Sequence, residues 1–143
     1  MSEQSGRMEG ATHLFPVRVY YEDTDAAGVV YHARYLHFLE RARTETLRYL
    51  GIPHSQMIAD FGAMFAVRRC EVDFLGPARL DDLLDVRTSL AEVRGASLVL
   101  AQTVRRNEDR LVEAVIRLAC ITPAGRPVRI PPPVSRILSA LAV

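Results

Sequence analysis

The chain of 143 residues has no tryptophan and only two cysteines, Cys70 and Cys120, which lie far apart in the sequence. Two cysteines are too few for a disulfide framework, and their separation does not fit a zinc motif. Free thiols are typical of a reducing compartment. We therefore predict a cytoplasmic protein in which both cysteines are small core residues rather than nucleophiles.

The sequence also lacks any apolar run close to the roughly 18 residues that cross a bilayer, and its net charge at pH 7 is only +1. A nucleic-acid-binding domain usually carries an excess of basic residues. No transmembrane segment and no nucleic-acid partner are therefore predicted. The polar N-terminus lacks the basic and then apolar order of a secretory signal. We predict a disordered tail over residues 1–12, followed by a single domain over residues 13–143.

Hydrophobic periodicity predicts one long helix from His32 to Leu50, because apolar residues recur there at intervals of three and four. Gly51 and Pro53 end this helix. Strands are predicted over residues 14–22, 64–75, 83–93, 97–106 and 111–122, and shorter helices over residues 54–61 and 134–141. Short turns join the last three strands, which makes them antiparallel. One sheet and one long helix bury their apolar faces against each other in a two-layer α+β domain.

The run from Tyr20 to His32 carries most of the functional information, since it places Asp23, Asp25 and Gly28 directly before the long helix. Its spacing resembles the start of an EF-hand calcium loop, but position 5 of that loop would be Ala27 instead of an oxygen ligand. A metal site made of His32 and His37 fails for a different reason. Side chains five residues apart on a helix diverge by about 140°.

Acyl chemistry is the third interpretation of this run. The backbone N–H groups near Tyr31 and His32 lie in the first helical turn, where they have no intrahelical acceptor and can polarise a carbonyl oxygen. Asp25 can then act as a general base towards water or as a nucleophile, and Gly28 would allow close approach of a substrate. An aspartate before a helix is also typical of a cap or a turn, so a purely structural role stays open at this point.

The segment Tyr21–His32 (YEDTDAAGVVYH), followed by Ala33–Leu36, Phe38 and Glu40–Glu45, resembles the signature of the 4-hydroxybenzoyl-CoA thioesterase family. Within this family it is most similar to the Tol–Pal-associated acyl-CoA thioesterase branch. The resemblance extends more weakly over residues 15–140. It implies an α+β hotdog fold, in which an antiparallel five-stranded sheet wraps around one long central helix. It also implies assembly as a homodimer or homotetramer, with the active site at the dimer interface.

The resemblance further implies hydrolysis of an acyl thioester, carried by coenzyme A or by acyl carrier protein, without a metal or another cofactor. Asp25 and His32 are then the catalytic residues: Asp25 supplies the base or nucleophile, and the backbone N–H of His32 polarises the thioester carbonyl. Gly28, Val30 and Tyr31 are expected to contact the substrate.

Asp23 is assigned to the turn, since the resemblance gives the chemical role to the second aspartate. Arginine suits phosphate groups, and six arginines are candidates for the phosphates of coenzyme A: Arg68, Arg69, Arg79, Arg105, Arg106 and Arg129.

Two alternative functions are carried forward. One is a hotdog-type hydratase that acts on an enoyl thioester, although the Asp and His spacing usual for that chemistry is missing. The other is a non-catalytic binder of acyl thioesters, or a scaffold, in a complex associated with the cell envelope.

Overall fold

The computed structural model describes residues 3–142. Its three helices and six strands, in order along the chain, are β1 (Arg7–Glu9), β2 (Thr12–Arg18), α1 (Arg34–Tyr49), α2 (His54–Phe61), β3 (Met64–Phe74), β4 (Leu83–Val93), β5 (Ser97–Arg106), β6 (Asp109–Ile121) and α3 (Pro132–Leu141). Single 3-10 turns cover Glu3–Ser5 and Tyr21–Asp23. None of the helices in the described part of the chain is both long and apolar enough to cross a membrane.

All six strands form one antiparallel sheet in the order β1-β2-β4-β5-β6-β3. Strands β4, β5 and β6 follow one another as hairpins, as their short turns predict. Strand β3 lies at one end of the sheet, where it pairs only with β6. The antiparallel sheet with one long helix confirms the predicted α+β architecture, with one strand more than the five predicted.

The additional strand is β1, which pairs with β2 inside the segment predicted as a disordered tail. The predicted strand over residues 14–22 is also displaced, because β2 begins at Thr12 and ends at Arg18. After Arg18 the chain leaves the sheet and forms the 3-10 turn at Tyr21–Asp23. The side chain of Asp23 stabilises this turn by accepting a hydrogen bond from the Tyr20 N–H. The first two residues of the tail lie outside the described residues.

Helix α1 packs on the sheet because its apolar residues form one stripe along its length. The buried members of the stripe are Tyr35, Phe38, Leu39, Ala42, Thr46 and Leu47. They meet buried residues of β4, β5 and β6 in one continuous core. Burial of each large apolar side chain contributes about 1.5–3 kcal/mol, so this contact fixes the helix against the sheet. The same contact sets the position of the N-terminal end of the helix, next to the predicted site residues Asp25 and His32.

Gln102 connects α1 to the sheet through polar contacts within this core. Its side-chain amide donates hydrogen bonds to the Leu39 carbonyl at 3.0 Å and to the Thr88 hydroxyl at 2.9 Å. Its carbonyl oxygen accepts a 3.0 Å hydrogen bond from Arg43. A buried amide is tolerated only when its donors and acceptor are paired, and here both groups have partners.

His13 holds the N-terminal segment against the same helix. Its Nε2 donates to the Ser5 carbonyl at 2.6 Å, and its Nδ1 lies 2.9 Å from the Thr46 hydroxyl. Burial lowers the pKa of His13 below the ordinary value, although the Ser5 carbonyl acts in the opposite direction. Gly6 has a φ of +78°, and a Cβ at this position would collide with the Leu14 carbonyl oxygen. These contacts hold the segment that contains Ser5 and Gly6 against the rest of the domain.

Candidate active site

A turn over residues 25–28, the Asp25 turn, joins two short antiparallel segments that precede α1. The Asp25 N–H donates to the Val29 carbonyl at 2.8 Å, and the Gly28 N–H donates to the Asp25 carbonyl at 3.0 Å. An isolated bridge between Thr24 and Val30 continues the pairing. Gly28 has a φ of +81°, and a Cβ added there would meet no atom of the described chain within 4 Å. The glycine is therefore required by the left-handed backbone, not by crowding within the chain.

Asp25 lies exposed at the tip of this turn. Its Oδ1 accepts a hydrogen bond of 2.9 Å from the Ala27 N–H, which fixes the orientation of the carboxylate. The second oxygen, Oδ2, has no hydrogen-bond partner among residues 3–142. The carboxylate is thus oriented by its own turn and keeps one oxygen available for chemistry.

Asp23 has the opposite environment, since it is only 4% exposed. Its Oδ2 accepts the Tyr20 N–H at 2.8 Å, and its Oδ1 forms an ion pair with Arg34 Nε at 3.0 Å. Arg34 also donates to the Glu22 carbonyl at 2.9 Å. Both carboxylate oxygens are therefore used within the protein, as expected of a residue that stabilises the turn.

Helix α1 begins at Arg34, so the prediction that Tyr31 and His32 lie in its first turn is wrong. The Val30 N–H donates to the Ala78 carbonyl, and the Tyr31 N–H donates to the Asp23 carbonyl, each at 2.9 Å. The Tyr31 N–H has no acceptor within the helix, as predicted, but it is not available to a substrate carbonyl, because pairing of the two segments uses it. The His32 N–H takes part in none of the backbone hydrogen bonds that residues 3–142 form outside their helices and strands. The His32 N–H is thus available to a ligand.

Two depressions flank this segment of the chain. A depression of about 360 Å³ contains Asp25 and is also bordered by Glu22, Thr24, Tyr31, Ala33, Arg34 and His37. A second, of about 250 Å³, contains His32 and is bordered by Val30, Tyr35, Phe74, Leu75, Gly76 and Pro77. Asp25 and Tyr31 therefore share one depression, and His32 and Val30 share the other. Gly28 borders neither.

Sequence reasoning missed two residues at this site. His37, which was considered only as a metal ligand, borders the Asp25 depression one helical turn after Ala33. Phe74 comes from the far end of β3, and its ring centroid lies 6.2 Å from that of His32. Helical spacing from Ala33 could have indicated His37, whereas the sequence contains no signal that brings β3 to this end of the helix.

The candidate phosphate-binding arginines differ in their surroundings. Arg69, Arg105 and Arg106 form ion pairs with Glu71, Glu108 and Asp82. Arg79 forms no ion pair in the described part of the chain, and its backbone bridges to Val29 beside the Asp25 turn. Within residues 3–142, no group of three or more His, Cys, Asp and Glu side chains is arranged to hold a metal ion.

Comparisons with a family model, with sequences and with solved structures all find similarity to thioesterases. The family model for the thioesterase superfamily matches residues 27–113. The acyl-CoA thioesterase YbgC of Haemophilus influenzae is 50% identical over 107 residues, which cover 75% of this chain and 79% of the relative. The acyl-CoA thioester hydrolase YbgC of Escherichia coli is 49% identical over 115 residues, 78% of this chain and 85% of that protein.

The fold is also similar to that of solved thioesterases. The crystal structure of a probable thioesterase from Bartonella henselae superposes with a TM-score of 0.81 at 40% sequence identity, covering 84% of this chain and 99% of that chain. Such likeness confirms the hotdog architecture expected from the sequence. From the extent of the family match and the identity to these relatives, the chain belongs to the thioesterase superfamily.

Proposed function

We propose that this protein is an acyl-CoA thioesterase. The observation that carries the proposal is a pair of unused polar groups in the segment that precedes α1. Asp25 keeps a carboxylate oxygen without a protein partner, and the His32 N–H has no backbone acceptor. The names of the relatives from Haemophilus influenzae and Escherichia coli support an acyl-CoA thioester as the substrate.

In the proposed reaction, the His32 N–H donates a hydrogen bond to the thioester carbonyl oxygen and stabilises the negative charge that develops there. Asp25 either removes a proton from the attacking water or attacks the carbonyl carbon itself. In both routes the carbon–sulfur bond breaks and the thiolate leaves and takes up a proton. Water supplies the second oxygen of the carboxylic acid product. In the general-base route it attacks the thioester directly, and in the nucleophilic route it hydrolyses the mixed anhydride formed with Asp25 and restores the carboxylate. Tyr31 and Val30 border the two depressions and would contact the substrate on either side.

Release of free thiol from a panel of acyl-CoA esters tests this proposal. We expect the purified protein to release thiol from at least one short-chain, long-chain or aromatic acyl-CoA, with an equal amount of carboxylic acid. With an enoyl-CoA as substrate, the enoyl absorbance should fall no faster than free thiol is released. Loss of enoyl absorbance without thiol would instead indicate a hydratase. Tight acyl-CoA binding with no turnover across the panel would indicate a non-catalytic binder.

We also propose that the active enzyme is at least a homodimer, assembled through β3. Opposite residues of an antiparallel pair share one face of the sheet, so Val67, Cys70, Val72 and Phe74 share the inner face with buried residues of β6. Two of them are left half exposed: Val67 is 51% exposed and Phe74 is 50% exposed. An apolar stripe along an unpaired edge strand is a typical site of self-association. A second copy on this stripe would also enclose the His32 depression at Phe74.

The mass in solution tests this assembly. The wild-type protein should have at least twice the 16.0 kDa mass of one chain. Cys70→Asp places a charge in the middle of the stripe and should shift the mass to that of a single chain. The matched control is Ala101→Asp, at an exposed position of β5, which should leave the assembly intact. A monomeric wild-type protein at micromolar concentration, or an unchanged mass for Cys70→Asp, would contradict the proposal.

A further inference from the structure

The hydroxyl of Tyr35 lies where residues 29–30 pair with residues 78–79, close to the start of α1. Val29 and Arg79 form an antiparallel bridge, which places Val30 opposite Ala78. A hydrogen-bonded pair in an antiparallel ladder exchanges two backbone hydrogen bonds. The Val30 N–H donates to the Ala78 carbonyl at 2.9 Å, but the Ala78 N–H donates to the Tyr35 hydroxyl oxygen, also at 2.9 Å. The hydroxyl therefore takes the place of a backbone acceptor at the end of this pairing.

Tyr35 is only 3% exposed, yet its hydroxyl uses only its acceptor function. A phenolic hydroxyl can accept one hydrogen bond and donate another at the same time. Its oxygen accepts the Ala78 N–H, but its hydrogen has no acceptor among residues 3–142. Burial raises the pKa of the Tyr35 hydroxyl, although the Ala78 N–H and the Arg106 guanidinium act in the opposite direction. The hydroxyl is therefore protonated at neutral pH, and its hydrogen is available to a ligand.

This unused donor lies on the same side of the chain as the His32 N–H. Tyr35 and His32 both border the depression of about 250 Å³. Long side chains of a helix point back towards its N-terminus and lie over the residue three positions earlier, which is His32 here. Along the preceding segment the Val30 N–H points to Ala78 and the next N–H points away from it, so the alternation returns the His32 N–H to the Ala78 side. Both donors therefore face the same depression.

We propose that the Tyr35 hydroxyl donates a second hydrogen bond to the thioester carbonyl oxygen, beside the one from the His32 N–H. This role rests on the proposed function, since it requires an acyl thioester in the depression. Backbone N–H groups and tyrosine hydroxyls both stabilise such an oxygen, and they do so best when they are oriented before the reaction. The Ala78 N–H fixes the hydroxyl oxygen, and the ring centroid of Phe74 lies 5.8 Å from that of Tyr35. Tyr35 stays protonated throughout and transfers no proton.

Tyr35→Phe keeps the buried ring and removes only the hydroxyl. We expect it to lower the kcat for acyl-CoA hydrolysis by about 10²- to 10³-fold, the range for loss of one donor to the oxyanion. The KM should change little, because the interaction is stronger in the transition state than with the bound substrate. The matched control is Tyr49→Phe, at the other end of α1, which borders neither depression and should keep the kcat of the wild type. Thiol release is measured below the unfolding transition of each variant.

Tyr35→Phe also takes the acceptor from the buried Ala78 N–H, so a second measurement separates substrate contact from structural support. The probe is a ketone analogue of the acyl-CoA, in which a methylene group replaces the thioester sulfur and prevents hydrolysis. With 3-fluorotyrosine at position 35 the hydroxyl is more acidic, which makes it a stronger donor and a weaker acceptor. The infrared stretch of the carbon-13-labelled carbonyl should then shift to lower wavenumber than in the wild-type complex. This variant keeps the hydroxyl, so the test holds even for a Tyr35→Phe protein that does not fold.

The outcomes distinguish the role of Tyr35 from the proposed function. Wild-type kcat in Tyr35→Phe, an equal loss in Tyr49→Phe, or an unchanged carbonyl stretch with 3-fluorotyrosine would overturn the role of Tyr35. Hydrolysis of acyl-CoA by the wild type would still support the proposed function in each of these cases. Absence of thiol release by the wild type across the whole acyl-CoA panel would instead overturn the proposed function, and the role of Tyr35 with it.

Discussion

Asp25→Asn is expected to lower the kcat for acyl-CoA hydrolysis by about 10²- to 10⁴-fold, the range for loss of a positioned acid–base group. The carboxamide oxygen of asparagine can still accept the Ala27 N–H, so the turn should keep its shape. The position is exposed, and no core packing is lost. Thiol release under saturating substrate measures the effect, and thermal unfolding should show a midpoint close to that of the wild type.

A matched control for this substitution is Asp60→Asn, which removes the same charge from an exposed position on α2. Its kcat should equal that of the wild type. Wild-type kcat in a correctly folded Asp25→Asn protein would remove Asp25 from the mechanism. A parallel loss in both variants would indicate an effect of surface charge instead of chemistry.

Asp23→Ala should destabilise the fold by about 2–3 kcal/mol. Removal of one partner from a buried ion pair costs about 3–5 kcal/mol, but the Arg34 side chain is 27% exposed and can be partly solvated once it loses Asp23. The Tyr20 N–H loses its acceptor as well. Urea denaturation measures the free energy of unfolding, and the slope with urea concentration should stay unchanged.

Comparison of Asp23→Ala with Asp25→Asn separates structure from chemistry within one turn. Below its unfolding transition, Asp23→Ala should keep a kcat within a few-fold of the wild type, while Asp25→Asn should keep its stability. A protein with Asp23→Ala that is as stable as the wild type yet inactive would show that Asp23 takes part in the reaction.

Local patterns were sufficient to predict most of the elements. The stripe from Tyr35 to Thr46 follows helical spacing closely, and the observed helix differs from the predicted one only in its ends. Strand β4 runs over Leu83–Val93 and β5 over Ser97–Arg106, as predicted, because turn residues mark both ends. In these segments the chain's local preferences agree with the core that it forms.

Contacts between distant segments were not predictable from the same patterns. Residues 3–9 are polar, and their order depends on His13, which reaches Ser5 and Thr46 only in the folded chain. The Tyr31 N–H could not be recognised as paired, since its acceptor is a carbonyl eight positions earlier, in the Asp23 turn. The resemblance to thioesterases indicated Asp25, but the unpaired Oδ2 that supports its proposed role is visible only in three dimensions.

The close approach at Gly6 restricts how sequence variation near the N-terminus can be interpreted. Any other residue there would need a left-handed backbone and would force its Cβ against the Leu14 carbonyl oxygen. A substitution at this position would separate the Ser5 segment from His13 and act on the packing of α1, far from the Asp25 turn. Loss of activity in such a variant would report damage to the scaffold, and an invariant glycine at this position in relatives would not identify a ligand-binding residue.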